Sequence, residues 1–107
     1  MSYLDQLKLI TAWDSTPELT EDELTKLLAG AAIADAAGHA PSDGVWTETY
    51  DVNSAASAAW LIKAARASAT TEVEGTDPAI VTSKVFDNCR AMARIYAAKR
   101  AVSVTLN

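Results

Sequence analysis

Three groups of residues carry side chains able to do chemistry. Cys89 and His39 are the single cysteine and the single histidine of the 107-residue chain, and together they would make a thiolate–imidazole nucleophile pair. Their settings argue against it. Cys89 falls on the apolar stripe of a helical pattern, where free cysteine usually serves as a small buried hydrophobe. His39 falls in a Gly-containing loop and reads as a solvated residue. One cysteine and one histidine leave no internal disulfide and fall short of a structural zinc set. The acidic run Glu21, Asp22 and Glu23 offers carboxylates for acid–base work or Mg²⁺ binding, but helix starts collect this pattern for capping and dipole reasons alone. No GxGxxG, GxxxxGK[ST] or HExxH occurs in the chain. The expectation is a protein that is not an enzyme, with no catalytic residue, no metal and no cofactor.

The third group is basic: Arg90, Arg94, Lys99 and Arg100. One reading is a solvated helix end, where the dipole favours cations. The other is a contact with a neighbouring subunit, an acidic partner or passing DNA. The whole chain carries 9 Lys and Arg against 14 Asp and Glu, a net charge of -5, which opposes non-specific attraction to phosphate backbones.

The elements that position these groups are helical. Ser2 caps a first helix, with Asp5 at its third position and Leu4, Leu7 and Ile10 on one stripe ending near Trp13. Thr20 caps a second, with Glu23 completing a capping box and Leu19 against Leu24 as a hydrophobic staple. Its core face is Leu24, Leu27, Leu28 and Ala31, and the pattern fades at about Ala34. Asp51 caps a third, in which Ala56, Ala59, Trp60, Lys63 and Ala67 follow helical spacing. The last is the most regular, with Val85, Phe86, Cys89, Met92, Ala93 and Tyr96 at three- and four-residue steps and Lys84, Asp87, Arg90, Arg94 and Lys99 free to reach solvent. Between the second and third helices lies a long loop, from Asp35 to Tyr50, with an Asp43-Gly44 turn. Loops of this length in a compact domain are usually functional or disordered. Trp46 and Tyr50 favour order, either by covering the helices or by anchoring a subunit contact. The stretch 70–81 before the last helix reads as a short extended or hairpin excursion, although Asp77-Pro78 can also start the helix early.

The expected fold is therefore all-α: one domain, a small bundle of about four helices over 1–101 with an extended tail at 102–107. Apolar residues are 50% of the chain but aromatics only 7%, so the core is built largely from alanine and is thin. No stretch approaches the ~18 apolar residues of a membrane helix, so the chain reads as soluble and made in the cytoplasm, with no membrane partner. The tail alternates Val102, Val104 and Leu106 with polar residues, which makes one apolar edge when extended. Such an edge needs a surface to lie on.

The order of these patterns carries a resemblance. The sequences "LTEDELTKLLAGAA", "HAPSDGVWTETYDVNSAASAAWLIKAARA" and "SKVFDNCRAMARIYAAKR" together resemble the small head-to-tail adaptor, or connector, proteins of long-tailed bacteriophages, especially forms carried by phages of actinobacteria. The resemblance runs from about Leu4 to Arg100. It implies a helical subunit of a ring, typically dodecameric, that sits beneath the portal protein in the neck of the virion after synthesis in the bacterial cytoplasm. Such a ring extends the DNA channel and offers a platform to the next neck protein, a stopper or a tail terminator. Double-stranded DNA passes through it without specific binding. The resemblance further implies that the C-terminal extension, here Val102, Val104 and Leu106, docks into the portal.

A competing class is a small helical DNA-binding protein, such as a small terminase subunit or a helix-turn-helix regulator. It requires exposed Arg, Lys, Asn or Gln near the start of a recognition helix. The helix after Thr20 is acidic there, and the helix after Asp51 is mostly alanine. A helical accessory subunit of some other assembly is the third class.

Overall fold

The computed structural model describes residues 2–74 and 79–100, with side chains described for 2–69 and 84–100. Four helices follow in order: α1 (Tyr3–Thr11), α2 (Glu21–Ala29), α3 (Val52–Glu74) and α4 (Ala79–Ala98). The fold is all-α, as the periodicity predicts.

The helix starts match their sequence signals. The Ser2 hydroxyl accepts from the Asp5 N–H at 3.0 Å while the Asp5 carboxylate accepts from the Ser2 N–H at 3.4 Å. At α2 the same reciprocal box joins Thr20 and Glu23, at 3.1 and 2.8 Å. Each box satisfies donors that a helix start otherwise leaves unpaired. The flanking Leu19 and Leu24 are both buried. Asp51 caps α3 by accepting from the Ser54 N–H at 3.1 Å.

Helix ends differ from the sequence reading. The apolar period suggested α2 as far as Ala34, but the helix stops at Ala29. Gly30, a poor helix former, is followed by backbone pairing with the returning loop. The Ile33 N–H donates to the Thr49 carbonyl and the Asp51 N–H to the Ala31 carbonyl, both at 2.9 Å, around an antiparallel bridge between Ala32 and Tyr50. This tertiary pairing overrides a weak local preference. Helix occupies much of the stretch 70–81 that the spacing reads as extended. Helix α3 continues through Thr70, Thr71 and Val73 to Glu74 and α4 begins at Ala79, since β-branched residues lower helix propensity by only a few tenths of a kcal/mol or so each. The join at 75–78 and the tail at 102–107 lie outside the described residues.

Helix α3 is the spine. Helices α1 and α2 pack on it and on each other, α4 packs along it, and neither α1 nor α2 runs alongside α4. Two connected cores result. Leu7, Leu19, Leu24 and Leu28 meet Ala55, Ala56 and Ala59 in one. Trp60 and Ala64 meet Cys89 and Ala93 in the other. Alanine on the spine lets its neighbours approach closely, and the buried Ser57 hydroxyl uses that closeness to donate to the Ala93 carbonyl at 2.9 Å. The molecule measures 54 × 28 × 21 Å with a radius of gyration of 16.0 Å, against about 13 Å for a compact chain of this length. Helices of 23 and 20 residues, about 35 and 30 Å long at 1.5 Å per residue, contribute to the elongation.

Candidate functional site

Among the described residues Lys63 is the most deeply buried charged group. It sits on the buried stripe of α3, 1% exposed, and its ammonium donates to the carbonyls of Ala12, Ser15 and Pro17 at 2.8, 2.9 and 2.8 Å. All three N–H donors of the ammonium are thereby used. The acceptors lie on the turn that leaves α1, where Ala12 takes a left-handed conformation with φ 46 and the Thr16-Pro17 bond is cis. A cation at the carbonyl end of a helix also meets the negative end of its dipole. Trp60, one turn earlier on α3, donates its indole N–H to the Ile10 carbonyl at 3.2 Å and places its ring 5.2 Å from the Lys63 nitrogen. Helix α1 is therefore capped in part by α3, at Ile10 and Ala12, alongside the Ser15 N–H that donates to the Ala12 carbonyl at 3.0 Å. Burial pushes the Lys63 ammonium below its ordinary value, with Cys89, Asp14 and Glu18 pulling the other way. The sequence showed Lys63 only as a member of an alanine-rich stripe. A lysine on such a stripe was the available signal.

A second polar clamp ties α2 to α3. The Arg66 guanidinium donates to both carboxylate oxygens of Glu23 and, at 2.9 Å, to the Glu18 carbonyl. Hydrogen bonds from Arg66 and then from the Thr20 N–H hold the Glu23 carboxyl down at about 2.

The long loop is ordered around Asp35. Its carboxylate accepts from the N–H groups of Ala37 at 3.0 Å, His39 at 2.9 Å and Thr47 at 2.8 Å, and these bonds, Thr47 first, hold its pKa below the usual value. Gly38 sits at φ 88, a backbone region that suits glycine. The predicted anchors Trp46 and Tyr50 come together here. The Trp46 indole donates to the Ile33 carbonyl at 2.9 Å, and its ring meets Tyr50 edge-on at 5.8 Å, with Tyr50 in turn edge-on to Tyr3 at 5.2 Å. Both rings are half-buried and link the loop to the start of α1. Within the chain the two rings tie the loop to Ile33 and Tyr3.

The predicted basic cluster divides. Arg90 and Arg94 are exposed one turn apart on α4, Arg90 over the Phe86 ring at 5.7 Å. Lys99 and Arg100 follow the last turn of α4, and Lys99 lies over Tyr96 at 5.3 Å and beside a cleft of about 360 Å³ shared with Gln6, Leu9 and Ile10. Among the described residues none of the four pairs with a carboxylate. Cys89 is 1% exposed, and burial raises its pKa, so the thiol is held protonated. His39 lies in the loop with its Nδ1 3.5 Å from Asp43, away from the Cys89 core. Among the described residues no three of His, Cys, Asp and Glu come close enough to hold a metal. No helix described is long and apolar enough to cross a membrane.

What sequence reasoning missed lies on the outside. Leu9 on α1 is 70% exposed, Leu61 on α3 53%, and Ile95 on α4 46%, while Val45 at the loop tip is 63% exposed. Among the described residues, seven of the thirteen buried apolar ones are alanine. Large apolar side chains thus stand on the outside of a small-residue frame. Comparison of the chain with protein-family models, with curated proteins and with solved structures finds no match in any of the three.

Proposed function

We propose that the protein is a structural subunit of a head-to-tail adaptor ring, seated under a portal protein in the neck of a long-tailed bacteriophage. The reading joins the sequence resemblance to one structural observation: the chain builds its core from alanine and leaves Leu9, Leu61 and Ile95 on the outward faces of three helices. A small elongated domain with that distribution gains stability from neighbours that bind only its folded form. In this reading the ring, typically of twelve subunits, extends the DNA channel and presents a platform to a stopper or tail terminator. The acidic balance of the chain keeps passing DNA mobile, and the tail at 102–107 docks into the portal through Val102, Val104 and Leu106.

The test is reconstitution with a portal protein of a long-tailed bacteriophage. The full-length protein should form rings on portal particles visible by negative-stain imaging, and a chain lacking residues 102–107 should remain folded but no longer join them. Truncated protein that still docks removes the tail from the portal contact. Full-length protein that ignores the portal and instead shifts duplex DNA as a tight, salt-resistant complex replaces the adaptor reading with the DNA-binding one.

A further inference from the structure

Charge is segregated between the two sides of the α3 spine. Residues 3–29, which hold α1 and α2, carry six carboxylates (Asp5, Asp14, Glu18, Glu21, Asp22 and Glu23) against two lysines, Lys8 and Lys26. Lys8 pairs with Glu21 at 3.0 Å, Lys26 with Asp22 at 3.2 Å and Arg66 of α3 with Glu23, which leaves Asp5, Asp14 and Glu18 outside these ion pairs. Residues 79–100, which hold α4, carry Lys84, Arg90, Arg94, Lys99 and Arg100 against a single Asp87, and all six are exposed. Each side also presents one large aliphatic residue to solvent, Leu9 on α1 and Ile95 on α4. Helices α1 and α4 both pack on α3 and flank one cleft that Leu9 and Lys99 line together, so the two charged faces adjoin along that cleft, with Ile95 outside it.

Resting on the adaptor reading, we infer that a second copy of this chain docks its α4 face on the α1–α2 face of the first, with Leu9 and Ile95 in the contact and opposite charges around them. Complementary charge at a contact sets orientation and suppresses like-with-like pairing. Here acidic against acidic and basic against basic both repel, and acidic against basic attracts. A contact between two different patches is heterologous, so each subunit keeps one free face for the next, and the chain of contacts closes into a ring when the rotation permits. This assigns the subunit interface to residues on the first and last helices, and it gives the exposed Arg90 and Arg94 acidic partners across that interface.

Two variants isolate the two faces. Leu9→Lys puts a cation in the acidic face, in the last turn of α1 where the helix dipole favours it. Ile95→Glu puts a carboxylate in the basic face, four residues before Lys99, a spacing that supports a helix. Both positions are exposed, so both proteins should keep the wild-type helical circular dichroism. If either does not, Leu9→Gln and Ile95→Gln take their place. In sedimentation velocity and native mass spectrometry over a concentration series, wild type should reach species larger than a dimer and dissociate as salt rises. Each variant alone should be a monomer. Mixed, they should form a one-to-one dimer and nothing larger, because only the basic face of Leu9→Lys and the acidic face of Ile95→Glu remain competent. A wild type that stays monomeric, a variant that still assembles, or a mixture that yields no dimer overturns the assignment. Portal-bound rings formed equally well by both variants would overturn it and leave the adaptor reading standing, whereas wild type that never engages the portal counts against that reading separately.

Discussion

Replacing Lys63 with Met tests whether the buried ammonium holds the α1–α2 turn in place. Methionine keeps an unbranched apolar stem on the α3 stripe and removes the donors that reach Ala12, Ser15 and Pro17. Two effects compete. Removing a desolvated charge relieves a cost that can reach several kcal/mol, and buried ion sites replaced by apolar residues are sometimes neutral. Against that, hydrogen bonds to a charged group contribute about 1.5–3 kcal/mol each, and an acceptor left buried without a donor costs about 1–3 kcal/mol. The bond to Pro17 is buried, while those to Ala12 and Ser15 are only partly so, and their carbonyls recover some hydration. Three lost bonds minus the relieved desolvation leave a net destabilisation of about 2–4 kcal/mol. For a domain of this size each kcal/mol moves the melting temperature by about 4–8 °C, so Lys63→Met should melt roughly 10–25 °C below wild type. Thermal unfolding followed by circular dichroism at 222 nm reads this directly. Lys63→Arg should not restore it, because a planar guanidinium cannot direct three N–H groups at three carbonyls around one nitrogen. Melting of Lys63→Met within about 2 °C of wild type, under half a kcal/mol at that conversion, would refute the reasoning by showing that the ammonium costs as much as it returns.

Trp46→Ala should lower stability by about 2–3 kcal/mol, less than a fully buried aromatic because the ring is half-buried, and the loss should appear as raised hydrogen exchange at Ile33, Thr47 and Thr49 before global melting. Exchange unchanged along the loop would show that Asp35 alone orders it. Acid should loosen the α2–α3 clamp. Glu23 is held at about 2 against its ordinary 4.5, so its contribution is complete above the unfolded value and is lost as pH falls from 4.5 towards the folded one. Wild type should therefore lose melting temperature over that window more steeply than Glu23→Gln, and parallel curves would mean that the Arg66 pair contributes nothing net.

The starts of the helices were legible because the signals are local. Ser2 with Asp5, Thr20 with Glu23 and Asp51 before Val52 each act within four residues, and the structure places all three as caps. The end of α2 was not, because what stops it at Ala29 is pairing with Thr49 and Asp51 twenty residues along, and no local pattern reports a partner at that distance. The buried face of α3 was read from spacing alone, and Ala56, Ala59, Trp60, Lys63 and Ala67 are all buried there. The informative residues are those that break the period. Lys63 is a charge on an apolar stripe, and its burial is possible only because three carbonyls of another element converge on it. Leu9 is the converse, an apolar residue about 200° round α1 from the core residue Leu7 at 100° per residue, and Ile95 stands off the Cys89, Ala93 and Tyr96 stripe in the same way. Among the described residues Leu9 and Ile95 belong to neither core, since both helices turn their inner faces to α3. Residues of this kind read as noise while a sequence is matched to its own fold. In the proposed contact they form a pattern, Leu9 beside Asp5 and Asp14 and Ile95 on the basic helix α4, because opposite charge at a contact lets two copies of one subunit meet in a single orientation.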